Sequence, residues 1–164
     1  MIAVEVTVMR VQSSRSASLG ASALLVLAIG ISACGSSSSN SSSDVSAVKQ
    51  AWTSFFAGST SAADKIKLLQ NGQEFSQIIN EAAGLAISKT SSATVSNVVI
   101  NSPTSATVTY SIDLGGKPAL QNQTGAAVKV NGSWLVGDAS FCALLALEGQ
   151  SVPACSSATS TTAG

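Results

Sequence analysis

From Val45 to Ala82 the apolar residues recur at helical spacing; from Thr94 onward they alternate, and this change of period divides the chain. Val45, Val48, Trp52, Phe55 and Phe56 mark a first helix, with Asp44 as its N-cap and Gly58 as its stop. Ser59-Thr60-Ser61 caps a second helix from about Ala62 to Asn71, with Ile66 and Leu69 facing inward and Gly72 ending it. A third runs from about Gln73 to Ala83, with Phe75, Ile78, Ile79 and Ala82 on one face and Gly84 closing it.

The second half reads as strands. Thr94 to Asn101 is rich in Val and Ile, and Asn101-Ser102-Pro103-Thr104 is a turn. Ala106, Val108, Tyr110, Ile112 and Leu114 then alternate with Thr107, Thr109, Ser111 and Asp113, which predicts one dry face and one wet face. Gly115-Gly116 turns the chain into a third strand from about Ala119 to Val130, with a bulge expected near Gly125. Asn131-Gly132 is a hairpin signal, and Ser133 to Gly137 is the fourth strand, with Trp134 and Val136 inward. Ser140 caps a short helix over Phe141 to Leu147. The sum is one α+β domain over residues 44–155, with three N-terminal helices on a curved four-stranded antiparallel sheet and a short C-terminal helix. Helices and strands in this order match the cystatin-like or nuclear-transport-factor-2-like cone, an analogy of fold that carries no function.

Ahead of this domain the pattern is different. Arg10 and Arg15 precede an apolar run from Leu19 to Ile31 that is too short to span a bilayer, which takes about 20 apolar residues. The run ends in Ile31-Ser32-Ala33-Cys34, the order of a lipoprotein signal: an apolar residue, two small ones and a cysteine. Residues 1–33 are therefore expected to be a signal peptide. Cleavage would leave Cys34 as the lipidated N-terminus, and its two acyl chains would hold the protein at the outer face of the cell membrane. Met1 to Val8 has no basic residue and carries Glu5, whereas a complete signal begins at Met9, so translation is expected to start there. Gly35 to Ser43 has no apolar residue; with Cys34 it reads as a flexible linker, residues 34–43, whose serines could carry O-linked sugars. Residues 156–164 read as a disordered tail.

Charge and residue usage narrow the chemistry. Beyond Cys34 six lysines face seven carboxylates with no charge run, so a nucleic-acid footprint is absent and none is expected as partner. The chain has no histidine, which excludes Ser-His-Asp and Cys-His catalysis and any His-ligated metal, and no cofactor is expected. Cys142 and Cys155 are an even pair in an exported protein and are expected to form a disulfide.

Two segments carry a resemblance. Trp52-Thr53-Ser54-Phe55-Phe56-Ala57-Gly58-Ser59-Thr60 runs on into Lys65-Ile66-Lys67-Leu68-Leu69-Gln70-Asn71-Gly72, and Asn131-Gly132-Ser133-Trp134-Leu135-Val136-Gly137-Asp138-Ala139-Ser140-Phe141-Cys142 follows later. Together they resemble the C-terminal domain of the mycobacterial low-molecular-weight secreted antigen family, over about Asp44 to Cys155. The resemblance implies a small exported antigen with no established catalysis and no catalytic residues to carry over. Its familiar members are released into the medium, whereas Cys34 predicts retention on the envelope.

Three functions are then open. The first is a non-enzymatic, monomeric envelope lipoprotein presenting its domain to a partner. The second is a binder of a small apolar ligand or lipid, in a pocket between helices and sheet lined by Trp52, Phe55, Phe56, Tyr110 and Trp134. The plainer role for these aromatics is to fill the core. The third is an isomerase-like enzyme using Asp113, Asp138 and Tyr110. Against it, Asp113 sits on the face of its strand opposite Tyr110, and Asp138 stands at a strand-to-helix junction where capping is the ordinary role. Lys65 and Lys67 beside Asp64 read as a solvated helix face.

Overall fold

In the computed structural model, which describes residues 37–158, five α-helices and two 3₁₀ turns accompany a four-stranded antiparallel sheet. α1 (Ser37–Phe56) is anchored by Val48, Ala51, Trp52 and Phe55, all buried. It begins at Ser37 rather than Asp44, so residues 37–43, expected to be flexible linker, are helical. No apolar spacing marks them, but once Val48 to Phe55 fix the helix each added residue gains a hydrogen bond without a new nucleus. Asp44 is accordingly not a cap. It lies within α1 and reaches the sheet.

α2 (Ala62–Leu68) is capped by Ser61, whose hydroxyl accepts the Asp64 N–H. It stops before the expected Asn71 because Leu69 turns extended and bridges Val136 in parallel, with the Gln70 N–H donating to the Val136 carbonyl at 2.9 Å. Gly72 does not end that helix. It opens a 3₁₀ turn (Gly72–Phe75) where a Cβ would overlap the Ile66 carbonyl, and only then does α3 (Ser76–Gly84) begin. The single third helix expected from Gln73 is therefore split. A second 3₁₀ turn (Ile87–Thr90) leads into the sheet.

β1 (Ser91–Ser102), β2 (Ser105–Leu114), β3 (Lys117–Val130) and β4 (Ser133–Val136) pair in chain order as a meander. On β2, Ala106, Val108, Tyr110 and Ile112 are buried, as their alternation predicts. On β1 a register shift between Val95 and Asn97 lets Val95 and Val98, three residues apart, both pair with this dry row, opposite Tyr110 and Val108. The bulge expected near Gly125 lies elsewhere. The β2–β3 register slips between Tyr110 and Asp113, where Asn122 takes a φ of 51°, while Gly125 pairs regularly with Val108. Gly125 has another purpose: a Cβ there would collide with the Trp52 ring.

α4 (Asp138–Leu147) begins at Asp138 behind Gly137, earlier than the expected Phe141. Ser140 is not its cap; its hydroxyl accepts the Ala126 N–H of β3 at 2.7 Å. α5 (Ala154–Ala158) takes in the first residues of what read as tail, and the Cys142–Cys155 disulfide ties it to α4, with Cα atoms 5.5 Å apart. α1 packs on β1 and β4, and α4 on β3. The core between them gathers Trp52, Phe55, Leu69, Phe75, Tyr110, Trp134 and Val136.

Candidate functional site

The five aromatics expected to line a pocket divide. Trp52 is fully buried and Tyr110 is 2 % exposed, with ring centroids 4.4 Å apart; Trp134 is also in the core. These three fill space. Burial pushes the Tyr110 phenol up to about 12. Trp52 Nε1–H is buried with no hydrogen-bond partner, an uncommon cost that the surrounding ring contacts must offset. Phe55 and Phe56 continue the aromatic run in a different direction. Phe56 stacks on Tyr110 at 5.8 Å and meets Phe55 edge-on at 4.9 Å; Phe55 in turn meets Phe141 of α4 at 5.5 Å.

Phe55 and Phe56 do border open space. An apolar cavity of about 360 Å³ lies between α4 and the Leu114–Leu120 end of β2 and β3, lined by Phe56, Ile112, Leu114, Leu120, Leu144 and Leu145. A smaller apolar cavity of about 120 Å³ is lined by Phe55, Phe56, Ile79, Phe141 and Lys65. The two share Phe56, Ala82, Ser91 and Phe141, so they adjoin. A third cavity of about 330 Å³ adjoins the second through Lys65, Ala83 and Ser88 and is of mixed character, with Ser59, Thr60, Ser61 and Lys89 beside Gly58 and Ala62. The floor is rigid because the end of α1 is fastened there. Ser91 Oγ–H donates to the Phe56 carbonyl at 2.7 Å, and the Gly58 N–H donates to the Ser91 carbonyl at 2.8 Å.

Lys65 is not on a solvated face. It is half-buried against the small apolar cavity, and desolvation lowers its pKa from the ordinary lysine value. Lys67 and Asp64 behave as expected: both are exposed, and they pair at 3.0 Å. Ser61 and Lys67 together hold the Asp64 carboxyl below its usual range.

The proposed acid–base residues stand apart. Tyr110 faces the core while Asp113 lies on the other face of β2. Asp138 is buried at the start of α4, where its carboxylate accepts from Asn71 Nδ2 and from the Ala139 N–H, each at 2.7 Å. The bond from Asn71 fastens α4 to the turn after α2, and the one from Ala139 lies within the first turn of α4. Asp44 has the same kind of role: Oδ1 accepts from Lys129 Nζ at 2.7 Å and from Trp134 Nε1 at 2.9 Å, which clamps α1 to the β3–β4 hairpin. Those two donors hold its carboxyl below the usual range.

Several residues that sequence reasoning missed now matter: Lys65, Ile112, Leu114, Leu120, Leu144 and Leu145. One signal for them existed. The run Phe141–Leu147 is apolar around most of the helix, more than one sheet contact needs. The signal peptide and Cys34 lie outside the described residues, as do residues 159–164. Among the described residues no helix is long and apolar enough to cross a membrane.

Comparison with curated proteins and with solved structures gives no match. The family of the low molecular weight antigen MTB12, C-terminal domain, matches residues 42–152, within three residues of the span expected at each end. That span covers the buried anchors of α1, the whole sheet and all of α4. The chain therefore belongs to the low molecular weight antigen MTB12 family, through its C-terminal domain.

Proposed function

We propose that this chain is an exported, monomeric envelope lipoprotein, anchored through Cys34, whose domain is a non-enzymatic binding module for a small apolar ligand or lipid. The observation that carries the binding reading is the 360 Å³ cavity walled by Ile112, Leu114, Leu120, Leu144 and Leu145, a volume within the range of small-molecule sites. It opens at the surface beside Leu147, which is 66 % exposed. A core that needed only to be filled would have closed over this wall. The arrangement of a long first helix over a four-stranded meander supports reading the fold as a cystatin-like or nuclear-transport-factor-2-like cone, whose helix–sheet gap is a natural place for such a cavity. The envelope address rests on Ile31-Ser32-Ala33-Cys34.

Two measurements test the two parts. For the anchor, intact mass and detergent partitioning are compared between the native protein and Cys34→Ala. The native protein should enter detergent with a diacylglycerol-sized added mass and the variant should stay aqueous. Both staying aqueous would overturn the anchor. For the binding module, tryptophan fluorescence is followed as an apolar ligand panel is added. Trp52 should report, because its ring lies 5.7 Å from that of Phe56, which borders both apolar cavities. No response to any lipid or sterol would overturn the binding reading and leave a domain that only presents its surface.

A further inference from the structure

The three cavities form one lane with a chemical gradient. At one end Lys65 and Lys89 stand among the hydroxyls of Ser59, Thr60 and Ser88. In the middle the walls are Phe55, Phe56, Ile79 and Phe141. At the far end they are leucines, and the charged residue there is Glu148. Among the described residues no carboxylate lines the first two cavities, and the neighbouring Asp64 is already engaged by Ser61 and Lys67. Lys65 borders both the hydroxyl-bearing cavity and the small apolar one, at the point where they meet.

A lysine with its stem on apolar surface normally lets its head reach water or a carboxylate. In the two cavities that Lys65 borders, the described lining residues supply no counter-charge for it. We infer that the lane holds a single-chain anionic amphiphile, its head at Lys65 and Lys89 and its tail along Phe56 and Phe141 toward Leu144 and Leu145. Charge fixes the direction: the reverse placement would bring the anion beside Glu148. The inference rests on the apolar-binding reading above and adds the head group to it. A carboxylate from a fatty acid and a phosphate from a lysophospholipid share the required chemistry.

The test uses purified full-length protein, stripped of bound lipid, and three twelve-carbon probes below their critical micelle concentrations. Dodecanoate and lauroyl lysophosphatidate carry the anion; monolaurin is neutral. Calorimetric titration should show an anionic probe binding about tenfold more tightly than monolaurin, as one charge-assisted bond in a poorly solvated site allows. Whichever anion binds more tightly identifies the source. Lys65→Met should bring the affinity for the anionic probe down to that for monolaurin measured on the same variant, and Lys65→Arg should keep the preference. Thermal unfolding checks that both variants remain folded. Equal affinity for all three probes, unaltered in Lys65→Met, overturns the anionic head group and spares the apolar site. No binding of any probe overturns both.

Discussion

A methyl group at position 125 tests how the core is assembled. In open space a glycine in a strand costs about 0.5–1 kcal/mol relative to alanine, so Gly125→Ala would be expected to stabilise the protein. The structure reverses that sign. A Cβ at Gly125 would stand 3.0 Å from Trp52 Cζ2, closer still to Cη2, and 3.1 Å from Ser140 Oγ. The indole cannot swing away, because it is fully buried and packed against both Phe56 and Tyr110. Overpacking of this kind costs about 1–3 kcal/mol. The expected net loss is about 1–2 kcal/mol, or a fall in Tm of roughly 4–8 °C. The assay is thermal and urea unfolding followed by far-ultraviolet circular dichroism, with the disulfide intact. A double-mutant cycle sharpens it. Trp52→Phe removes the outer ring atoms and the unpaired N–H, and although destabilised itself it should accept Gly125→Ala at no cost, giving a coupling of about 1–2 kcal/mol. A Gly125→Ala protein as stable as the wild type would refute the reasoning. So would a loss that persists undiminished when the same change is made in the Trp52→Phe background.

Three further outcomes follow from the same geometry. Cys142→Ser, or reduction, should lower stability by about 3 kcal/mol, the entropy of closing a loop between cysteines 13 positions apart; calorimetry with and without reductant measures it. Because Lys129 and Trp134 hold the Asp44 carboxyl below its unfolded value, its contribution is full above about pH 4 and is lost as pH falls through the folded value. Asp44→Asn should thus be less stable than wild type at pH 7, with the gap in urea midpoint closing in acid; a gap that stays constant into strong acid would refute the clamp. The one tyrosine, Tyr110, has a folded pKa raised to about 12, so the stability from its burial is complete below about pH 10 and is lost as pH rises toward that value. Absorbance at the phenolate band should therefore rise near pH 12 in the folded protein, and a rise near about pH 10 without unfolding would contradict its burial.

Much of the fold was legible because period and punctuation agree with what tertiary contacts demand. The alternation on β2, the Asn131-Gly132 hairpin and the cysteine pair each have a local cause that survives in the structure. The α+β class and the antiparallel sheet followed from them. The errors sit where a distant partner overrides a local preference. Leu69 leaves its helix for Val136, Asp44 exchanges a cap for Lys129, and Ser140 exchanges a cap for Ala126. The candidate site was half legible. Aromatic residues are conspicuous, but nothing in the spacing separates Phe55 and Phe56, which border the cavities, from Trp52, Tyr110 and Trp134, which fill the core. Lys65 was hidden because Lys67 shares its short helix and only the course of the chain after Leu69 decides which of the two faces inward.

The parallel bridge between Leu69 and Val136 also bears on when the fold can form. Strand pairing here is a series of hairpins between neighbours, each with a short closing loop and a small entropic cost. The helical half has no such self-sufficiency. Trp52 is covered by Tyr110 of β2 and Gly125 of β3, and Leu69 by Val136 of β4, so a nascent chain ending before β2 leaves Trp52 bare and one ending before Val136 leaves Leu69 without its bridge. Closure of the helical half is thereby postponed until the final strand arrives, a delay that would suit the export proposed above, since a channel threads only an unfolded chain.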